Sequence, residues 1–147
     1  MPISRQEILG IVEFDWFAID SVGELTLCSS AGFGEIPEIV LQQCSLADSP
    51  IQHLDRLIAL MPEIGSHRAE GRGPGACREW PSLGNRGVYV YDWKHYSGPY
   101  ERIIVPDVPV RADALCSEIL ASLRPVTISQ FAFASCRSFR GADLGFV

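Results

Sequence analysis

Between Phe14 and Pro37 the chain reads as strand, turn, strand and glycine-flanked loop, and no other stretch restricts the fold as much. Phe14, Trp16 and Ala18 alternate with Asp15, Phe17 and Ile19, a period of two in residue types that favour extended backbone. Both alternate sets are largely apolar, so this strand is expected to be covered on both faces. Asp20-Ser21-Val22-Gly23 then supplies an Asp able to bond its own backbone and a Gly able to take positive φ. Leu25 and Leu27 alternate with Thr26 and Cys28 on the way back, which predicts an antiparallel hairpin.

A second hairpin is predicted further on. In Val88-Tyr89-Val90-Tyr91-Asp92-Trp93 the valines take one face and the aromatic rings the other, and Tyr100 to Val105 is the natural partner across Lys94 to Pro99. The aromatic stripe reads as core packing or as one side of a binding face. Helices are expected in four places. Ser4 and Glu7 form a capping box for a helix over Arg5 to Val12, and Ile36, Ile39, Val40 and Cys44 mark a turn or two after Pro37. Ser49-Pro50 begins a third helix, with Ile51, Leu54, Leu57, Ile58 and Met61 on one stripe and Pro62 at its end. Asp113 reads as the cap of a fourth, carrying Leu115, Cys116, Ile119, Leu120 and Leu123, with a last irregular strand over Val126 to Phe133.

Gly65 to Gly87 contains six glycines, two prolines, four arginines and Trp80 without a sustained period, which predicts a long loop with Trp80 folded back on the body. The expected class is therefore α+β, one domain over residues 1–147, with an antiparallel sheet of about five strands and three or four packed helices.

Several chemistries fail on spacing. The loop Ser30-Ala31-Gly32-Phe33-Gly34-Glu35-Ile36-Pro37 follows a strand but lacks the third glycine of a dinucleotide loop and the Gly-Lys-Ser/Thr of a P-loop, and Glu35 and Glu38 would repel a phosphate. Phe33, held between two glycines, is either a plug into the core or an anchor for a partner. Cys28, Cys44, Cys77, Cys116 and Cys136 form neither a disulfide framework nor a zinc pattern, and no metal or cofactor is expected. Cys77 beside Arg78 is the candidate reactive thiol. No apolar run approaches the length of a membrane span, and the first residues lack a secretory pattern, so a cytoplasmic location is expected.

Charge is distributed unevenly. Up to Ile64 there are ten acids and two bases, a balance of −8, whereas the remainder has eight acids and ten bases. Such a balance disfavours nucleic acid as a ligand and favours a basic protein partner if the acids share a face.

The pattern Trp16-x-Ala18-x-Asp20-x-x-Gly23-x-Leu25, then Ser30-Ala31-Gly32-x-Gly34-x-Ile36-Pro37, Gly87 to Asp92, Tyr100-x-Arg102-Ile103-x-x-Pro106 and Phe131 resembles a group of small uncharacterised bacterial proteins. Several such groups are regarded as immunity proteins of polymorphic toxin systems. The resemblance implies a non-enzymatic, immunity-like protein-binding domain whose partner is a toxin, and it transfers no functional residue. From the residues themselves, Phe33, Glu35, Trp80 and Tyr96 are the expected contacts of an acidic, aromatic-bearing surface. The alternative is a small hydrolase or transferase using Cys77, or His95 with Asp92.

Overall fold

The computed structural model describes residues 14–31, 34–43, 54–70, 79–93 and 96–144. The expected helix over Arg5 to Val12, the helix start at Ser49-Pro50, and Phe33, Cys44, Cys77 and His95 lie outside them.

The first hairpin forms as its alternation requires. Strand β1 (Asp15–Ile19) pairs antiparallel with β2 (Leu25–Ser29), from Asp15 opposite Ser29 to Ile19 opposite Leu25. The turn is held by Asp20, whose Oδ1 accepts the N–H groups of Val22 and Glu24 at 3.1 and 2.8 Å, and Gly23 takes φ +88°. The second hairpin, β4 (Tyr89–Trp93) with β5 (Tyr100–Pro106), is also antiparallel.

These hairpins belong to one seven-stranded sheet in the order β3-β5-β4-β2-β1-β6, with β7 also on β5. Here β3 is His67–Ala69, β6 is Val126–Thr127 and β7 is Ser138–Phe139. The expectation of an antiparallel sheet of about five strands needs correction, because β2 pairs with β4 and β1 with β6 in parallel. Parallel neighbours need a long crossover. The crossover from β2 to β4 contains helices α1 (Glu38–Gln43), α2 (Leu54–Leu60) and α3 (Glu79–Asn85), and α4 (Ser117–Leu123) precedes β6. The chain is a single α+β domain with a mixed, open sheet.

The two sheet faces differ in chemistry, as the Val/Tyr alternation predicts. Trp16, Ala18, Cys28, Tyr89, Tyr91, Trp93 and Tyr100 build an aromatic face, covered by Val40 and Leu41 of α1 and by Phe133, Phe139 and Leu144. Phe17, Leu25, Leu27, Val90, Ile103 and Ile104 build a mainly aliphatic face under Ile58, Trp80, Leu83, Ile119 and Leu123. A β-bulge sets the parity of β5. Val90 pairs with Ile104 but Tyr91 with Arg102, so Ile103 is the extra residue. Ile103 and Ile104 therefore both enter the aliphatic side, while Tyr100 and Val105 enter the aromatic one.

Gly65 to Gly87 is not one long loop. It contains β3 and α3, with residues 71–78 outside the described set. Gly84 reads as a loop residue but serves packing, since a Cβ there would lie 2.7 Å from His67 Cβ and from Ile104 Cγ2. Its absence lets α3 sit directly on β3 and β5. Two further boundaries differ from expectation. Asp113 does not cap α4, because it lies in a 3-10 turn, Ala112–Ala114, and the cap is Cys116. The strand expected over Val126 to Phe133 stops after Thr127. Beyond that point β1 has ended, and Asp20 Oδ2 accepts the Phe133 N–H at 2.8 Å and draws the chain aside.

Candidate functional site

The end of the sheet at the β4–β5 connection gathers two of the expected contact residues. Trp93 and Tyr100 face each other across the hairpin with ring centroids 4.9 Å apart at 69°, and Trp16 meets Tyr100 edge-on at 5.8 Å. Their polar atoms bond one another and the backbone of the two adjoining loops. Trp16 Nε1 donates to Tyr100 Oη at 3.1 Å, and Tyr100 Oη donates to the Glu35 carbonyl at 2.7 Å. Trp93 Nε1 donates to the Tyr96 carbonyl at 3.3 Å.

Glycines let both loops lie against these rings. At Gly34 a Cβ would stand 2.7 Å from Tyr100 Oη and 3.0 Å from Trp93 Cγ, and at Gly98, with φ +71°, 2.3 Å from Trp93 Cη2. Arg140 Nη1 donates to the Ser97 carbonyl and ties the same turn to the C-terminal segment. Glu35 and Tyr96 thus come from two loops seated on one aromatic pair. The Tyr96 side chain stands out from the surface at 81% exposure.

Trp80 is not part of this surface. It is 7% exposed in the aliphatic core, because residues 79–85 form a helix that turns Trp80 and Leu83 inward. Its role as a contact residue is therefore corrected, and its folding back onto the body is what the structure shows.

The same end of the sheet carries a row of polar side chains that the sequence reading missed. The registers place Asp15 opposite Ser29, Ser29 beside Asp92, and Asp92 opposite Glu101. Alternation puts all four on the aliphatic side, one residue in from the Trp93–Tyr100 pair, with adjacent strands about 4.8 Å apart. Asp15 and Ser29 are buried, while Asp92 and Glu101 are half-buried. The signal lies in the strands themselves: at this end each has a polar residue where its aliphatic face otherwise carries Phe, Leu, Val or Ile. Burial, and then the charge of Asp15, push the Cys28 thiol well above its usual range, so Cys28 is an inert core residue.

Other acids of the first half are dispersed. Asp20 is buried in the first turn. Glu24, at the opposite end of the sheet, accepts from Tyr89 Oη at 3.3 Å, and burial with the nearby Asp20 raises its carboxyl pKa. The Tyr89 phenol is pushed up to about 12 by burial and by Glu24. Glu63 lies 3.6 Å from Arg86. Among the described residues no three His, Cys, Asp or Glu side chains are grouped to hold a metal ion, and no helix is long and apolar enough to cross a membrane.

Compared with protein-family models, with curated proteins and with solved structures, the chain matches none.

Proposed function

We propose that this protein is a non-enzymatic binding domain that presents the Trp93–Tyr100 end of its sheet to a basic protein partner; in the immunity-like form of this reading the partner is a toxin. The observation that carries it is Tyr96, 81% exposed on a turn fixed from beneath by Trp93 and from the side by Arg140. Exposed aromatics on pre-ordered backbone make effective interface anchors, since little freedom remains to be lost on binding. Glu35, Asp92 and Glu101 add acidic groups at the same end, which favours encounter with a basic surface.

The test is co-purification from the native host at low and high salt, using the wild type beside Tyr96→Ala and Glu35→Lys. A basic protein retained at low salt, shed as salt rises and lost with both variants supports the reading. Retention that ignores salt and both substitutions removes it.

A second reading, a small hydrolase or transferase, draws on the placement of Asp92 beside Glu101, because neighbouring carboxylates can divide acid and base roles. Turnover of a chromogenic ester, phosphate or glycoside by the wild type, lost in Asp92→Asn, favours it. A wild type inactive on all three classes removes it.

A further inference from the structure

The opposite end of the sheet holds a cleft of about 300 Å³ between the end of α2, the turn after α3 and the segment after β5. Its walls are Met61, Ile64, Val110 and Leu115 with neighbouring prolines, and its charged lining residues are both arginines, Arg86 and Arg111.

Both guanidinium groups are held in place. Arg86 Nε donates to the Ile58 and Met61 carbonyls at 2.8 and 2.9 Å, and its Nη1 donates to Ser82 O at 3.1 Å and Ser82 Oγ at 2.6 Å. Arg111 Nη1 donates to the Val22 carbonyl at 2.8 Å, and its Nε lies 3.4 Å from Asp113. Among the described residues neither Nη2 has a hydrogen-bond acceptor. Asp113 and Glu63 are exposed at 72% and 64%, so they offset this charge mainly through water, and Glu24, which pairs with Arg111 in an isolated bridge and feels its charge, is shared with Tyr89 Oη. An apolar cleft whose lining carries two tethered guanidinium groups complements a ligand with an apolar body and one anionic end.

We propose that this cleft binds a small apolar monocarboxylate, with the carboxylate on Arg111 Nη2 near the Arg86 charge and the hydrocarbon body on Met61, Ile64, Val110 and Leu115. The site is separate from the Tyr96 surface, which lies at the other end of β5.

The probe is octanoate, titrated into the ¹⁵N-labelled protein and followed by amide shifts, with octanamide as its uncharged counterpart. Saturable shifts centred on Ile64, Val110 and Leu115 are expected, at least about tenfold weaker for octanamide and for Arg111→Met. Ala114→Trp fills the cleft from an exposed position and abolishes the shifts, while Tyr96→Ala leaves them unchanged. Thermal unfolding of Arg111→Met and Ala114→Trp checks that both remain folded. The proposal is overturned by no saturation up to about 10 mM octanoate, by octanamide binding as well as octanoate, or by wild-type affinity in folded Arg111→Met.

Discussion

Arg102 and Glu70 form a two-pronged ion pair inside the molecule: Arg102 Nε and Nη2 donate to the two Glu70 oxygens at 2.5 and 3.1 Å. The third donor, Arg102 Nη1, reaches the carbonyls of Phe133 and Ala134 at 2.6 and 2.9 Å. One guanidinium therefore joins β5, the residue after β3 and the turn leading to β7. The side chains are 5% and 13% exposed, so solvent screens the pair little. Arg102→Met is expected to lower unfolding free energy by about 3 kcal/mol, because it removes both hydrogen bonds to the part-buried Glu70 carboxylate, leaving it the exposed Arg137 at 3.7 Å, and takes the Arg102 donor from the Ala134 carbonyl and from the Phe133 carbonyl, which keeps only Tyr91 Oη at 3.3 Å. Urea denaturation of the two single variants and the double variant with Glu70→Met separates the pair's coupling from lost packing.

Acid should weaken the same junction. The hydrogen bond from Arg102 outweighs burial and holds the Glu70 carboxyl below its ordinary value of 4.5. Below that value the unfolded chain binds the proton more readily than the folded one. The stabilisation is thus complete above about pH 4.5 and is lost as pH falls through the folded-state value. Stability measured from pH 6 downward should fall less steeply in Glu70→Gln than in the wild type in this window; identical slopes would refute the assignment.

Gly34→Ala tests the seating of the Glu35 loop. The new methyl would lie 2.7 Å from Tyr100 Oη and 3.0 Å from the Ser30 backbone, neither of which is the end of a flexible chain. A loss of about 1–3 kcal/mol is expected, with Trp fluorescence altered through displaced Trp93.

Asp20 is worth more than a turn residue. It serves the N–H groups of Val22, Glu24 and Phe133, so Asp20→Ala is expected to cost about 3 kcal/mol. Hydrogen exchange should accelerate at Phe133 as well as in the turn; an effect confined to residues 21–24 would argue against the long-range bond.

Tyr96→Ala should separate binding from folding. With 81% of the residue exposed, its loss is expected to change stability by less than about 0.5 kcal/mol. Partner affinity is expected to fall by about 2 kcal/mol or more if Tyr96 is the anchor.

The local parts of this architecture are legible in the sequence. Alternation in Phe14 to Ile19 and Val88 to Trp93 gives two strands with two covered faces, and Asp20 and Gly23 announce the turn from β1 into β2. The parallel contact of β2 with β4 is not legible, since nothing local records which distant strand a buried strand will meet. Gly84 misleads because a glycine permitting close packing and one permitting a loop look alike. The polar row is visible only after registers are known: Asp15, Asp92 and Glu101 are far apart in sequence and become neighbours through three strand pairings. Composition also overstates the acidic surface, because Asp15 and Asp20 are inside.

The outer edge of β5 is covered by two short pieces laid end to end: β3 against Ile104 to Pro106, and β7 against Tyr100 and Glu101. Neither piece is long enough to survive alone, and each comes from a different part of the chain. Resistance to self-templating is therefore divided between them. Proteolytic removal of the segment after Ala132 should uncover the Tyr100–Glu101 backbone together with the face of Tyr100 on which Phe139 stacks. The shortened chain would then offer an unpaired strand edge beside bare aromatic surface, a start point for intermolecular sheet growth and fibrillar aggregation.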